Sequence, residues 1–530
     1  MDVHPNRHLP LWIKLVLIIL IASVSTVGAI FTKATAVGSS TQVILLPIID
    51  KSNLYDWLQF NGDPSHTGNN TLENSISANN VGNLNLLFQV TLPGIADGAP
   101  VYLSSVPTAS GIRDLVYVTT RDGQIVALDA HSGMLAWSKQ YGPAGCIINN
   151  NPNVNQPCYS TSSPAIDPNR QFIYSYGLDG YVHKYAVGDG VEIKTGGWPE
   201  LTTLKRYDEK GSSALSIATA ANGTSFFYVS HAGYPGDRGN YQGHVTVINL
   251  ATGSQKVFNT LCSNQAVHFV DSRVTTGPDC YPNTMAAVWA RPGVVYEPYH
   301  NRILLATGNG TFLPGSFMWG DTVISINPDG SSFGGNPQDS FTPANYQNLQ
   351  STDLDLGSTA PAILPAAPGK YPHLAVQGGK DGLLRLINLD QMGGQSGVGH
   401  IGGEVFSMQL PMGGMLLTQP AVWVNPADNT TWIFVSNANG TSGLQLVINA
   451  SGNPSLVQKW ISAGGTSPLV ANGVVFIARS GQISALKAFS GTLLWSDNRI
   501  GSIHWESPIV VNGVVYITDQ SGNLTAYALP

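Results

Sequence analysis

The stretch 481-GQISALKAFSGTLLWS-496 occurs a second time in the same chain, as 123-GQIVALDAHSGMLAWS-138, with eleven of sixteen positions identical. Each copy follows an apolar run, 115-LVYVTT-120 or 474-VVFIAR-479, and a tight Asp-Gly or Ser-Gly turn. Within the copy, residues 125–128 or 483–486 form a second apolar strand, and a Ser-Gly turn leads to a third strand ending in Trp. Upstream, a small residue followed by Pro enters a further strand, 99-APVYL-103 or 467-SPLVA-471. The unit is therefore four antiparallel strands joined by hairpin turns.

Fainter copies fill the chain between and after these two. They run over 163–187, 225–253, 294–330, 360–390, 420–440 and 507–529, giving eight units in all. The step from Gly481 to Gly522 is 41 residues, the period of a four-stranded propeller blade. Two stacked β-sandwiches fit this spacing poorly. The last unit stops at Leu529 without an outermost strand, and 84-LNLLFQVTL-92 offers the missing piece. The sequence thus predicts an all-β, eight-bladed propeller of four-stranded antiparallel blades, closed by an N-terminal strand that completes the last blade. A closed ring has no internal domain boundary, so residues 55–530 are expected to form one propeller.

Composition agrees. Of 530 residues only 11% are charged, while Gly (58) and Pro (33) are plentiful, which suits strands and turns better than helices. The formal charge of −7 and the absence of a basic stripe argue against a nucleic-acid partner. Arg7 and Lys14 precede the uncharged run 15-LVLIILIASVSTVGAIF-31, with small-x-small steps at Val27-Gly28-Ala29 and Ala34-Thr35-Ala36. Residues 1–36 therefore read as a signal peptide or membrane anchor, and 37–54 as a linker. The body is expected to be exported, extracellular or periplasmic, secreted or tethered, and to meet a membrane only through that segment. The four cysteines, Cys146, Cys158, Cys262 and Cys280, lie in the exported part, where disulfides form. Local pairing would staple two long loops, although three pairings are open. No Cys-x-x-Cys-His occurs, so a covalent c-type haem is not encoded.

The repeat Ala127-x-Asp129-x-x-x-Gly133-x-x-x-Trp137 resembles the tryptophan-docking motif of the eight-bladed propellers with pyrroloquinoline quinone (PQQ)-type repeats, the quinoprotein dehydrogenases and their relatives. Ala485, Gly491 and Trp495 keep that motif, with Lys487 in place of the Asp. The resemblance covers nearly everything after about residue 55 and implies a wall built by indoles packing on neighbouring blades. The superfamily includes both catalytic quinoproteins and non-catalytic scaffolds, so function rests on what interrupts the repeat.

In dehydrogenases of this kind PQQ sits on the propeller axis beside Ca²⁺, with an aspartate as base and a Trp under the quinone. By the resemblance, Trp289 takes the stacking position, Asn309 in 308-GNG-310 a metal-ligand position, Asp321 in 320-GDT-322 the catalytic base, and Lys380 the lysine that contacts the quinone. The family's Glu ligand has no counterpart in 236-GDRGNYQGHV-245, where Asp237 is the nearest substitute. The adjacent-cysteine disulfide that covers the quinone is absent, and the step from Asn309 to Asp321 shortens a loop that shapes the pocket. Each residue also has a plain structural reading: Asn309 as a left-handed turn residue, Asp321 as a turn cap, Lys380 as a solvated turn charge, Trp289 as core.

Two further groups stand out. Asp353 and Asp355 in 353-DLDLGS-358 would share one face of a strand, as a cation site or as turn caps. His504, Trp505 and Glu506 stand where the last blade's inner strand begins, facing the axis. Two functions follow as expectations. The first is a ligand- or protein-binding scaffold, with a small molecule or protein at the axial face. The alternative is a PQQ- and Ca²⁺-dependent dehydrogenase of an alcohol or sugar, whose haem partner, if it needs one, is a separate protein.

Overall fold

The computed structural model describes residues 54–141, 145–148, 156–235, 237–271 and 276–530. The expected leader, 1–36, and all of the linker before Leu54 lie outside the described residues. Eight antiparallel sheets follow one another along the chain, arranged as a propeller. In the first blade Val101–Thr108, Gly111–Thr119, Gln124–Asp129 and Leu135–Gln140 lie in sequence order from axis to rim. The next six blades span 165–201, 209–259, 295–341, 362–409, 421–462 and 469–497. Among the described residues the single α-helix is Tyr346–Thr352, between the fourth and fifth blades.

The eighth blade is built from both ends of the propeller chain. Ile509–Val511, Val514–Thr518 and Asn523–Ala528 supply three strands, and Asn85–Thr91 pairs antiparallel with the last of them, Phe88 opposite Ala526. The closing strand predicted at 84–92 is therefore in place, and the ring seals without an open edge.

The two copies of the repeat phrase adopt the same local structure. Ala127 faces Trp137 and Ala485 faces Trp495 across the outer strand pair, and both pairs carry a bulge at the next residue. The indoles then reach the following blade. Trp137 donates Nε1–H to the Val187 carbonyl at 2.9 Å, and Trp460, in the sixth blade's outer strand Pro454–Ser462, does the same to Ala488 at 2.8 Å. Beneath them lie Gly190 and Gly491, at φ +67° and +68°, where a Cβ would come within 2.5 Å of the indole. Glycine is required there twice over, by the positive φ and by the approach. Trp495 makes the closing contact, donating to the Leu84 carbonyl at 3.1 Å.

A second device joins the blades from inside, and sequence reading gave no sign of it. Residues 55–70 run round the axis at the end where each inner strand turns into the second. Tyr55 donates its backbone N–H to Asn512 of the eighth blade, and Trp57 bridges Tyr102 of the first. The Leu58 carbonyl accepts from Ile166 of the second blade, and the Gln59 amide brackets Ile217 of the third. Pro64 accepts from Tyr296 of the fourth blade, Thr67 from Val422 of the sixth and Gly68 from Val470 of the seventh. Asn70 then donates to Val510 of the eighth blade and to the Tyr55 hydroxyl, where the circuit began. Inner strands otherwise present unpaired backbone groups to the channel, and this segment satisfies them in blade order.

The disulfides are Cys146–Cys158 and Cys262–Cys280, the local pairing, with Cα–Cα distances of 5.4 and 5.9 Å. They fasten the loops between the first and second and between the third and fourth blades. Trp137→Ala removes a buried indole whose neighbour, Gly190, cannot fill the space. It should cost about 3–5 kcal/mol of stability, read as a lowered urea midpoint. An unchanged midpoint would show that the wall does not depend on docked tryptophans.

Candidate functional site

A cavity of about 340 Å³ opens on the axis at the end opposite the 55–70 circuit. Its walls come from the approaches to inner strands and from the turns between second and third strands. Trp289 and Arg291 precede the inner strand of the fourth blade, and Trp505 precedes that of the eighth, on the far side of the ring. The two indoles meet edge to face, centroids 6.1 Å apart and planes at 71°. Arg291 lies over Trp505 at 5.6 Å and Lys380 over Trp289 at 5.4 Å.

The cavity has a carboxylate-rich side. The Lys380 ammonium contacts Asp353 at 2.9 Å and Asp355 at 2.5 Å and is largely covered, so it is not a solvated turn charge. Asp353 and Asp355 do not share a strand face as expected. Asp353 is the left-handed C-cap of the helix Tyr346–Thr352, and Asp355 starts a short 3-10 turn. The loop before the fifth blade is helical rather than extended because the backbone reverses there. Asp237 also faces the cavity and accepts the Tyr241 hydroxyl at 2.5 Å.

Of the five residues placed by resemblance, Asp237, Trp289 and Lys380 line this cavity. Asn309 and Asp321 sit behind it, attached through the same loop. The Asn309 N–H donates to Asp355 at 2.5 Å and its side-chain amide to Asp353 at 3.0 Å. It is not in a left-handed turn. Asp321 accepts the Leu356 N–H at 3.0 Å and is 1% exposed. Its φ is +46°, so it does sit in a turn, but its carboxylate braces a distant loop rather than capping its own. Among the described residues, Asn309 Oδ1 and Asp321 Oδ2 are buried acceptors without a donor.

The other side is basic, and sequence reading missed it. Lys210, in the inner strand of the third blade, bonds only hydroxyls, Ser212 at 2.5 Å and Thr161 at 3.3 Å. Arg291 donates to the carbonyls of Thr161 and Ser212 at 3.0 and 3.2 Å, and its buried Nε has no partner. Both cations are buried, and among the described residues neither is ion-paired. Burial and the neighbouring Arg291 charge push the Lys210 ammonium down to about 7. Burial brings Arg291 down to about 10. The faint signal was the pattern 289-WAR-291 ahead of an inner strand, parallel to 505-WES-507. His504 and Trp505 face the cavity as expected, with His504 held by Asp97 at 2.9 Å.

Burial raises the Asp321 pKa to about 7 from 3.8, against the Leu356 hydrogen bond and with help from the Asp355 and Asp381 charges. The folded chain then keeps a proton that the unfolded chain loses between those values, so this contribution to stability falls as pH rises from about 4 to 7. Asp321→Asn keeps the acceptor for Leu356 and removes the titration. The stability of the parent relative to the variant should decline by a few kcal/mol from pH 4 to 8. Urea unfolding at a series of pH values checks this, and a flat difference contradicts it.

A family model described as outer membrane protein assembly factor BamB matches residues 421–529, the last three blades. An outer membrane protein assembly factor BamB from Moranella endobia (strain PCIT) is 41% identical over 61 residues, 11% of this chain and 15% of that protein's length. A europium-containing methanol dehydrogenase superposes over 91% of this chain and 99% of its own, with a TM-score of 0.61 and 14% identity. The quinohemoprotein alcohol dehydrogenase ADHIIG from Pseudomonas putida HK5 does so over 89% and 80%, at 0.56 and 14%. The quinohemoprotein alcohol dehydrogenase from Comamonas testosteroni gives 0.57 at 14% identity, again over 89% and 80%. At such identities the structural likeness is one of fold. With eight blades and docked tryptophans the chain is an eight-bladed β-propeller, similar in its last three blades to the BamB repeat model and in fold to the quinoprotein dehydrogenases.

Proposed function

We propose that this protein is an exported binding propeller whose axial cavity takes a flat, polyanionic aromatic molecule of the PQQ class. The observation that carries this reading is the pair of buried basic groups that lack ion-pair partners among the described residues, Lys210 and Arg291, beside the crossed indoles of Trp289 and Trp505. A buried unpaired charge is costly, and an anion entering the cavity offsets that cost. The indoles offer an aromatic face and an edge at the same place. Export is supported by the two disulfides and by the apolar N-terminal run.

The carboxylate side supports a second, catalytic reading. The Asn309 Oδ1, without a donor among the described residues, suits a hard cation such as Ca²⁺, with the Asp237 carboxylate on the cavity wall as a second oxygen source. PQQ, when bound, supplies a hydride acceptor for an alcohol or sugar. In that reading Asn309 and Asp237 hold the cation, Lys380 balances Asp353 and Asp355, and Asp321 takes the hydroxyl proton at Oδ2. A carboxylate with a pKa of about 7 suits that task near neutral pH. The step requires the loop at Leu356 to admit the substrate to Asp321, which is 1% exposed.

Titration of the purified protein with PQQ should quench tryptophan fluorescence saturably. Arg291→Met and Lys210→Met should each weaken binding by about tenfold or more, the worth of a charged hydrogen bond. Absence of saturable quenching overturns the binding reading. Dye reduction with a panel of alcohols and sugars in PQQ and Ca²⁺, lost in Asp321→Ala, supports the catalytic reading. Binding without turnover leaves the scaffold.

A further inference from the structure

At the opposite end of the blades from the cavity, two neighbouring blades bring together a group that plays no part above. His300 lies in the hairpin between Val295–Glu297 and Arg302–Ala306 of the fourth blade. His373 and Asp390 flank the strands Leu374–Gln377 and Leu383–Asn388 of the fifth. One Asp390 oxygen stands 2.9 Å from His300 Nε2 and 2.8 Å from His373 Nδ1. One ligand atom from each of the three residues falls within 4.8 Å of the others. The imidazole rings are perpendicular, at 89°, with centroids 5.4 Å apart.

The surrounding residues fix these rings. Glu297 is fully buried and accepts from His300 Nδ1 at 2.8 Å and from Arg302 Nε at 2.8 Å. It also accepts the backbone N–H groups of Tyr299 and His300. His373 is stacked on Tyr299 at 4.3 Å, and the Tyr299 hydroxyl is held by the Leu364 carbonyl at 2.9 Å. Because a carboxylate can only accept, His300 carries its proton on Nδ1. In the neutral ring Nε2 then presents a lone pair to a carboxylate oxygen. That contact is repulsive unless a proton or a metal cation lies between the two atoms.

We propose that His300, His373 and Asp390 form a Zn²⁺ site with three protein ligands and a fourth position open to solvent. Two imidazoles and one carboxylate are a borderline donor set that suits Zn²⁺ and not Ca²⁺. Glu297 is the outer carboxylate that sets the ring orientation of a ligating histidine. Tetrahedral ligands about 2.0–2.1 Å from zinc stand roughly 3.3 Å apart, so the two nitrogen–oxygen contacts need to open by only a few tenths of an ångström. The three side chains are about one-third exposed, which leaves the metal a path in. The site ties the fourth blade to the fifth, to which the 55–70 circuit makes no hydrogen bond among the described residues.

The test uses tag-free protein and Zn²⁺ alone, in competition with a chromophoric chelator and by thermal shift. One equivalent should bind and raise the melting temperature, while Ca²⁺ at the same concentration should not compete. His373→Ala and His300→Ala should each weaken Zn²⁺ binding at least tenfold. Glu297→Gln should weaken it about 10–100-fold with all three ligands present. Because Glu297 also anchors Arg302, the partly exposed His373→Ala, with an unchanged metal-free melting temperature, is the deciding variant. No saturable Zn²⁺ binding, or unchanged affinity in His373→Ala, overturns the proposal.

Discussion

Closure of the ring is the constraint on which this structure depends. A propeller blade buries both faces only against neighbours, so an open ring would expose two sheet faces and a strand edge. Here the eighth blade takes three strands from the C-terminal end and its outermost strand, Asn85–Thr91, from the N-terminal end. Trp495 then docks on the carbonyl of Leu84, just ahead of that strand, as Trp137 docks on the second blade. The same interaction that repeats along the wall thus also forms the seam.

The 55–70 segment adds a second closure inside the first. Its bonds to the first, second, third, fourth, sixth, seventh and eighth blades follow blade order and end where they begin, at Tyr55 and Asn70. It closes one end of the channel and leaves the other for the cavity. Seam and circuit both place long-range pairings at the start of the chain, so neither can form before the last blade is made. Such topology favours slow, cooperative folding of the whole ring over blade-by-blade assembly.

At the open end the geometry of a ring does chemical work. Inner strands from opposite blades start close together, so residues remote in sequence, Trp289 and Trp505, meet at 6.1 Å. The same convergence puts Lys210 beside Arg291, with Asp97 acting on both and Glu506 on Arg291 but no ion pair to either among the described residues, and Asp353 and Asp355 around Lys380. On one side of the cavity, among the described residues, no carboxylate touches the basic groups, and on the other Lys380 is paired. That asymmetry is the basis of the proposed anionic ligand, whose acidic groups would face the third and fourth blades.

The sequence by itself determined the wall. A repeat of 41 residues, its hairpin turns, the docking tryptophans and the missing outer strand were legible, because each depends on local pattern and period. It also placed Trp289, Asp237 and Lys380, which the structure brings to one cavity. Only the tertiary structure decided the rest. Lys210 carries no motif and Arg291 only a faint one; their meaning is burial without an ion-pair partner among the described residues. Asp353 and Asp355 read as a strand face and proved to be a helical turn, because the chain reverses to enter the fifth blade. The 55–70 circuit and the His300, His373 and Asp390 group join residues from different blades, and no one-dimensional spacing encodes which side chains meet across a blade boundary.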